Sequence, residues 1–145
     1  FNIYVDPEAA HLVFQLDVDL VVAPLDVTHK ALTSPEWSAT LRAKNHPVCD
    51  VVAGWTEFFE RFDTEKYGSE GAPLHDPCVI AYLIAPELFS GRRINVEIET
   101  QSELTRGMTV ADWWGVTDRP ANALFLGNID AGKYFELITQ RLAQL

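Results

Sequence analysis

Between Val18 and Leu25 the chain reads VDLVVAPL, a run rich in β-branched apolar residues. A buried strand of this kind needs cover on both faces, and a parallel sheet flanked by helices is the usual way to supply it. The remaining sequence offers that cover. Asp6-Pro7-Glu8 places a capping carboxylate before a proline and predicts a helix to about Gln15. Ser34-Pro35-Glu36 repeats the signal for a short helix to about Ala43. After Pro47, the residues Val48, Val51, Val52, Trp55, Phe58, Phe59 and Phe62 form one apolar stripe at helical spacing, predicting a long helix that ends near Asp63. A polar loop, Thr64 to Pro73, follows. Asp76-Pro77 then reads as the start of a helix whose apolar run, Cys78 to Ile84, is expected to lie in the core.

Further along, Ile94, Val96 and Ile98 alternate with Asn95, Glu97 and Glu99, the pattern of a strand with one buried face. Thr105 to Ala111 is its expected hairpin partner, after a turn around Ser102. Ala123 to Leu126 reads as a short buried strand, and Tyr134, Leu137, Ile138, Leu142 and Leu145 mark a closing amphipathic helix. Helices alternating with strands give an α/β class: an open, mostly parallel sheet flanked by helices, with an antiparallel hairpin added.

The bulk numbers narrow the function. With 145 residues, 48% of them hydrophobic, the chain can fill the core of one domain or of half a larger one. A formal charge of −10 repels phosphate backbones, so a nucleic-acid partner is not expected. No apolar run approaches the roughly 20 residues that span a bilayer, so no membrane partner is expected either. Cys49 and Cys78 sit in apolar contexts without metal-ligand spacing and read as buried free thiols of a cytoplasmic protein.

One stretch concentrates chemistry. GAPLHDPCVIAYLI, residues 71–84, sets His75 and Asp76 at the start of a helix, joining a proton carrier to a hard oxygen donor. A carboxylate before a proline is also an ordinary helix cap, as at Asp6-Pro7, and a histidine there can simply be bonded to backbone. Loops at helix starts, near the C-terminal ends of strands, are nevertheless where open α/β sheets place ligands. Phe59 reads as core packing, Tyr67 as a candidate base contact in a polar loop, and Asp26 and Thr28 as stabilisers of the loop after the first strand. Trp113-Trp114 reads as packing or subunit interface.

Four segments carry a resemblance. FNIYVDPEAA at residues 1–10, LDVT at 25–28, LHDP at 74–77 and LTRGMTV at 104–110 with Asp112 resemble, in order and spacing, the C-terminal half of the inosine-uridine nucleoside hydrolases. That resemblance implies hydrolysis of the N-glycosidic bond of ribonucleosides to ribose and free base, a reaction of purine and pyrimidine salvage. It implies a Ca²⁺ that binds the ribose hydroxyls and a water, the water being deprotonated by an aspartate near the N-terminus. Carried over by motif, Asn2 is the asparagine that hydrogen-bonds the ribose, Asp76 a carboxylate ligand of the calcium, and His75 the general acid for the departing base. Tyr67 falls in the region that lids the base. Dimers or tetramers of the same chain are implied as well. The histidine inclines the expectation toward purine or mixed inosine-uridine use.

The family's aspartate-rich signature, DxDxxxDD, has no counterpart here. Calcium takes about six to eight oxygens, and Asp76 is a single carboxylate. Residues 1–145 are therefore expected to be the C-terminal half of one hydrolase domain, with the N-terminal half of that domain as its missing partner and little activity alone. The alternative expectation is a non-catalytic α/β half-domain that serves as an interaction or oligomerisation module.

Overall fold

The computed structural model describes residues 1–68 and 71–145, without the side chains of residues 62–67. The chain divides into two compact units, residues 1–22 with 91–126 and residues 23–90 with 127–145. Its strands form a mostly parallel three-stranded sheet of order β1-β5-β2 (β1, Leu20–Val22; β2, Phe89–Ile94; β5, Ala123–Ile129) and an antiparallel pair (β3, Val96–Ile98; β4, Thr109–Ala111). The class is α/β, as its helix and strand periodicities predict.

In the first unit, α1 (Asn2–Val5) and α2 (Pro7–Phe14) open the chain. The Asp6 carboxylate accepts the Ala9 amide at 2.9 Å, so the predicted cap forms. Strand β1 pairs in parallel with β5, Leu20 opposite Ala123 and Val22 opposite Phe125, and is shorter than the apolar run suggested. The core gathers Phe14, Ile94, Val96, Ile98, Ala123 and Phe125. Its polar joint is Asn122, whose side chain accepts from the Val96 amide at 2.8 Å and donates to the carbonyls of Phe14 and Val96. One amide thereby ties the end of α2 to β3. Trp113 packs edge-on against Phe125, while Trp114 stays exposed, so the two tryptophans divide between packing and surface.

The LTRGMTV segment is part of this scaffold. Arg106 donates through both terminal nitrogens to the Glu8 carboxylate, at 2.6 and 2.7 Å, and to the Thr100 carbonyl at 2.7 Å. The guanidinium holds the Glu8 carboxyl below its ordinary range. Asp112 accepts from the Thr117 hydroxyl and from the amides of Val116 and Thr117, which likewise lower its carboxyl. Gly107 has φ +83°, and a Cβ there would come 2.8 Å from Tyr4 Cα. Gly107→Ala is therefore expected to destabilise the fold by about 1–3 kcal/mol, read as a lower denaturant midpoint at unchanged slope.

The second unit holds α3 (Leu25–Thr28), α4 (Pro35–Arg42), α5 (Pro47–Tyr67), α6 (His75–Ile84), a 3-10 turn at Pro86–Leu88 and α7 (Ala131–Leu142). Leu25, expected to end the strand, and Asp26–Thr28, expected with His29 as a loop, form one helical turn instead. Helix α5 runs on beyond Asp63 to Tyr67. Trp37, Leu41, Cys49 and Ala53 make the core, with Val52, Phe135, Ile138 and Leu142 packed against it. Trp37 Nε1 donates to Thr139 Oγ1 at 3.0 Å, anchoring α4 on α7. Both cysteines are buried and free.

Two expectations about helix faces fail here. The inward face of α5 carries Cys49, Ala53 and Thr56, one position beyond the heavy stripe, whereas Trp55 is 69% and Phe58 71% exposed. Phe59, expected in the core, is 44% exposed. Small residues let α4 and α5 approach closely, so the bulky ones are displaced outward. Helix α6 buries only Cys78 and Ala81, leaving Val79, Ile80, Leu83 and Ile84 in the open. Its apolar run does not anchor it in the core of this chain.

Candidate functional site

The chain reaches His75 through a clamp. The Thr33 amide donates to the Ala72 carbonyl at 2.9 Å, the Ala72 amide donates to Thr33 Oγ1 at 3.2 Å, and the Leu74 amide donates to the Ala31 carbonyl at 3.3 Å. A bridge between Leu32 and Pro73 completes this short antiparallel contact. Gly71 begins it because a Cβ at that position would collide with the Thr33 carbonyl oxygen. Loop backbone that would otherwise drift is pinned on both sides.

Leu74, not Asp76, occupies the N-cap position of α6, where no side chain caps the helix. Its carbonyl accepts the Tyr134 hydroxyl at 3.1 Å and the Cys78 thiol at 3.2 Å. Burial and the neighbouring Cys78 raise the Tyr134 phenol far above its usual range, so it remains a donor, and burial also raises the Cys78 thiol. The helix mouth thus hangs on a buried tyrosine from α7. Tyr134→Phe is expected to cost about 1 kcal/mol of stability, since it removes one hydrogen bond and leaves the carbonyl a second partner. Chemical denaturation of the two proteins measures that difference directly.

His75 is the first residue of α6 and is half-buried. Its Nδ1 lies 2.8 Å from the Thr28 hydroxyl at the end of α3, and its ring lies 5.5 Å from that of His29. Thr28 is 2% exposed, so the bond is made on the buried side of the ring. Asp76 occupies the first turn, where the helix dipole favours a carboxylate. It is exposed, and among the described residues no side-chain hydrogen bond or ion pair engages it. The capping role expected of it does not materialise. Its oxygens are left for another partner.

Asp76 sits on the wall of a cavity of about 810 Å³ between α5, α6 and α7, lined mostly by apolar groups including Trp55, Phe58, Phe59, Ile80 and Leu142. The aromatic stripe of α5 therefore faces open space beside a carboxylate. His75 is not among its described lining residues, so the cavity meets the mouth of α6 only on the Asp76 side. Asn2, the other expected site residue, lies in the first unit, exposed at the start of α1. The Tyr67 side chain lies outside the described residues.

Among the described residues no group of three or more His, Cys, Asp or Glu side chains converges as a metal site. The exposed Asp76 carboxylate fits the role of one hard oxygen ligand, and no more than one. Thr28 and Tyr134 are the hydrogen-bond partners, of His75 and of the Leu74 carbonyl, that the sequence concealed. A threonine in a loop-like tetrapeptide and a tyrosine on a helical stripe carry no local mark of a contact 47 or 60 residues away. Among the described residues no helix is long and apolar enough to cross a membrane.

Residues 1–136 match the family model described as inosine-uridine preferring nucleoside hydrolase. An uncharacterized protein of Schizosaccharomyces pombe is 46% identical over 145 residues, covering all of this chain and 47% of that protein. The pyrimidine-specific ribonucleoside hydrolase RihA of Escherichia coli K12 is 47% identical over 143 residues, covering 98% of this chain and 46% of its own length. Among solved structures, the purine-preferring ribonucleoside hydrolase from Gardnerella vaginalis superposes with a TM-score of 0.84 at 25% identity, over 99% of this chain and 45% of the other. The chain spans about half the length of the curated relatives it matches.

Proposed function

The chain belongs to the inosine-uridine preferring nucleoside hydrolase family, and on that premise we propose that it is the C-terminal half of a catalytic domain that hydrolyses the N-glycosidic bond of ribonucleosides. The observation that carries the proposal is the clamped mouth of α6, where a half-buried histidine and an exposed carboxylate stand side by side. His75 is the general acid that protonates the departing base, a task suited to an imidazole, whose two nitrogens can hold and pass a proton. Asp76 is one ligand of a Ca²⁺, which when bound would orient the ribose hydroxyls and polarise a water. Asn2 donates to and accepts from the ribose hydroxyls, as an amide side chain can, and Tyr67 contacts the base.

The remaining calcium ligands and the base that activates water would come from the N-terminal half of the domain. That half, or a second subunit of a homodimer or homotetramer, would cover the apolar side chains exposed on α5 and α6. Buried free thiols suit the reducing cytoplasm, to which we assign the protein. The substrates are neutral ribonucleosides, with pyrimidines the first choice, because relatives named as pyrimidine-specific share 47–48% of residues against 25% for the purine-preferring neighbour. That preference departs from the leaning toward purine or mixed inosine-uridine use suggested by the histidine. The test is reducing-sugar release from uridine, cytidine and inosine by the intact protein, with and without a calcium chelator. Release that is fastest on the pyrimidines and abolished by the chelator is the expected result. No release from any nucleoside would leave the non-catalytic interaction module as the better reading.

A further inference from the structure

We propose that Thr28 is a positioning residue for base protonation, holding Nδ1 of His75 so that Nε2 is the nitrogen that delivers the proton. The inference rests on the general-acid role proposed for His75. Thr28 closes α3, its hydroxyl lies 2.8 Å from Nδ1, and it is 2% exposed, so the threonine end of this part-buried bond is out of water. Its backbone is fixed on both sides: the Thr28 amide donates to the Pro24 carbonyl at 3.1 Å and the Ala31 amide donates to the Thr28 carbonyl at 3.1 Å. On the histidine side, the clamp at Ala72–Leu74 and the Tyr134–Leu74 bond hold the backbone. With both ends fixed, the Thr28–His75 bond restrains the rotation of the ring.

The two ring nitrogens then have different duties. In the step itself the C1′–N bond breaks, its electron pair passes to the base nitrogen, and the Nε2 proton of the imidazolium passes to the base. The ring is left neutral, with its remaining proton on Nδ1, where the Thr28 oxygen accepts it. A hydroxyl suits this place because it accepts from Nδ1–H and can also donate to a bare Nδ1. A methyl group can do neither.

The experiment compares the intact wild-type protein with Thr28→Val, Thr28→Ala and Thr28→Ser on uridine and on p-nitrophenyl riboside, whose leaving group departs as a stable anion without needing a proton. The ratio of the two turnover numbers does not depend on how much of a preparation is folded, so a destabilised variant remains informative. For Thr28→Val and Thr28→Ala the ratio is expected to fall by about 10²-fold, the lower end of a general-acid contribution, with KM for uridine little changed. Thr28→Ser is expected to keep the ratio near wild type. An unchanged ratio in the hydroxyl-free variants, or a serine variant as impaired as valine, would overturn the assignment. A wild-type protein that cleaved neither substrate would instead overturn the proposed function.

Discussion

His75→Ala is expected to lower kcat for uridine by about 10²–10⁴-fold, the range over which a positioned general acid accelerates a reaction. The leaving base is a poor anion, and without a proton its departure carries that full penalty. Hydrolysis of p-nitrophenyl riboside is expected to change far less, because its leaving group needs no such help. A merely structural histidine would give the opposite pattern, with both substrates losing activity together in step with the folded fraction. His75 is half-buried, and its Nδ1 bond to Thr28 is lost in the variant. Some loss of stability is therefore expected as well, and the substrate ratio separates it from the loss of chemistry.

The second large effect belongs to Asp76. Substitution by Asn keeps the shape and one oxygen but removes the charge that a hard cation seeks. Changes to groups that merely support metal ligands cost about 10- to 100-fold in affinity. A direct ligand should cost at least that, so Asp76→Asn is expected to raise the calcium concentration for half-maximal activity by about 100-fold or more. Folding should hardly register the change. Asp76 is exposed, does not cap α6 and has no side-chain partner among the described residues, so only its favourable place near the helix dipole is lost, at most about 1 kcal/mol. A large metal effect beside a small stability effect is the signature of a ligand. Circular dichroism melts and a calcium titration of activity supply the two readings.

Much of the fold was legible because its signals are local. Capping residues and prolines marked α2 and α4, where the Asp6 and Ser34 side chains do accept the expected amides. Alternation marked Ile94, Val96 and Ile98 as buried, although Asn95, expected on a wet face, is buried too and separates β2 from β3. What escaped was set by tertiary context. The stripe on α5 was read correctly as helical, but its apolar residues outnumber the positions that face the core, and close packing selected the small ones. At α6 the Asp-Pro pair imitated a cap. The helix begins earlier, at His75, because the clamp to Ala31–Thr33 and the tyrosine on the Leu74 carbonyl fix its first turn.

The site divides the same way. His75 and Asp76 could be singled out because two ionisable residues adjoin one helix start. Thr28 and Tyr134 could not, since hydrogen bonds across 47 and 60 positions leave no trace in a single sequence. The exposed Asp76 was expected to cap its helix, and Phe59 to fill the core. The carboxylate left without a cap to make is what supports the functional reading.

The most direct measurement is ribose release from uridine, in the presence of calcium, by this chain alone and by this chain combined with the aspartate-rich N-terminal half of a domain of this family. A silent chain that gains calcium-dependent turnover when the second half is supplied, and loses it again with His75→Ala, is the predicted result. Turnover by residues 1–145 alone, or a complete domain that stays inactive with calcium present, would contradict it.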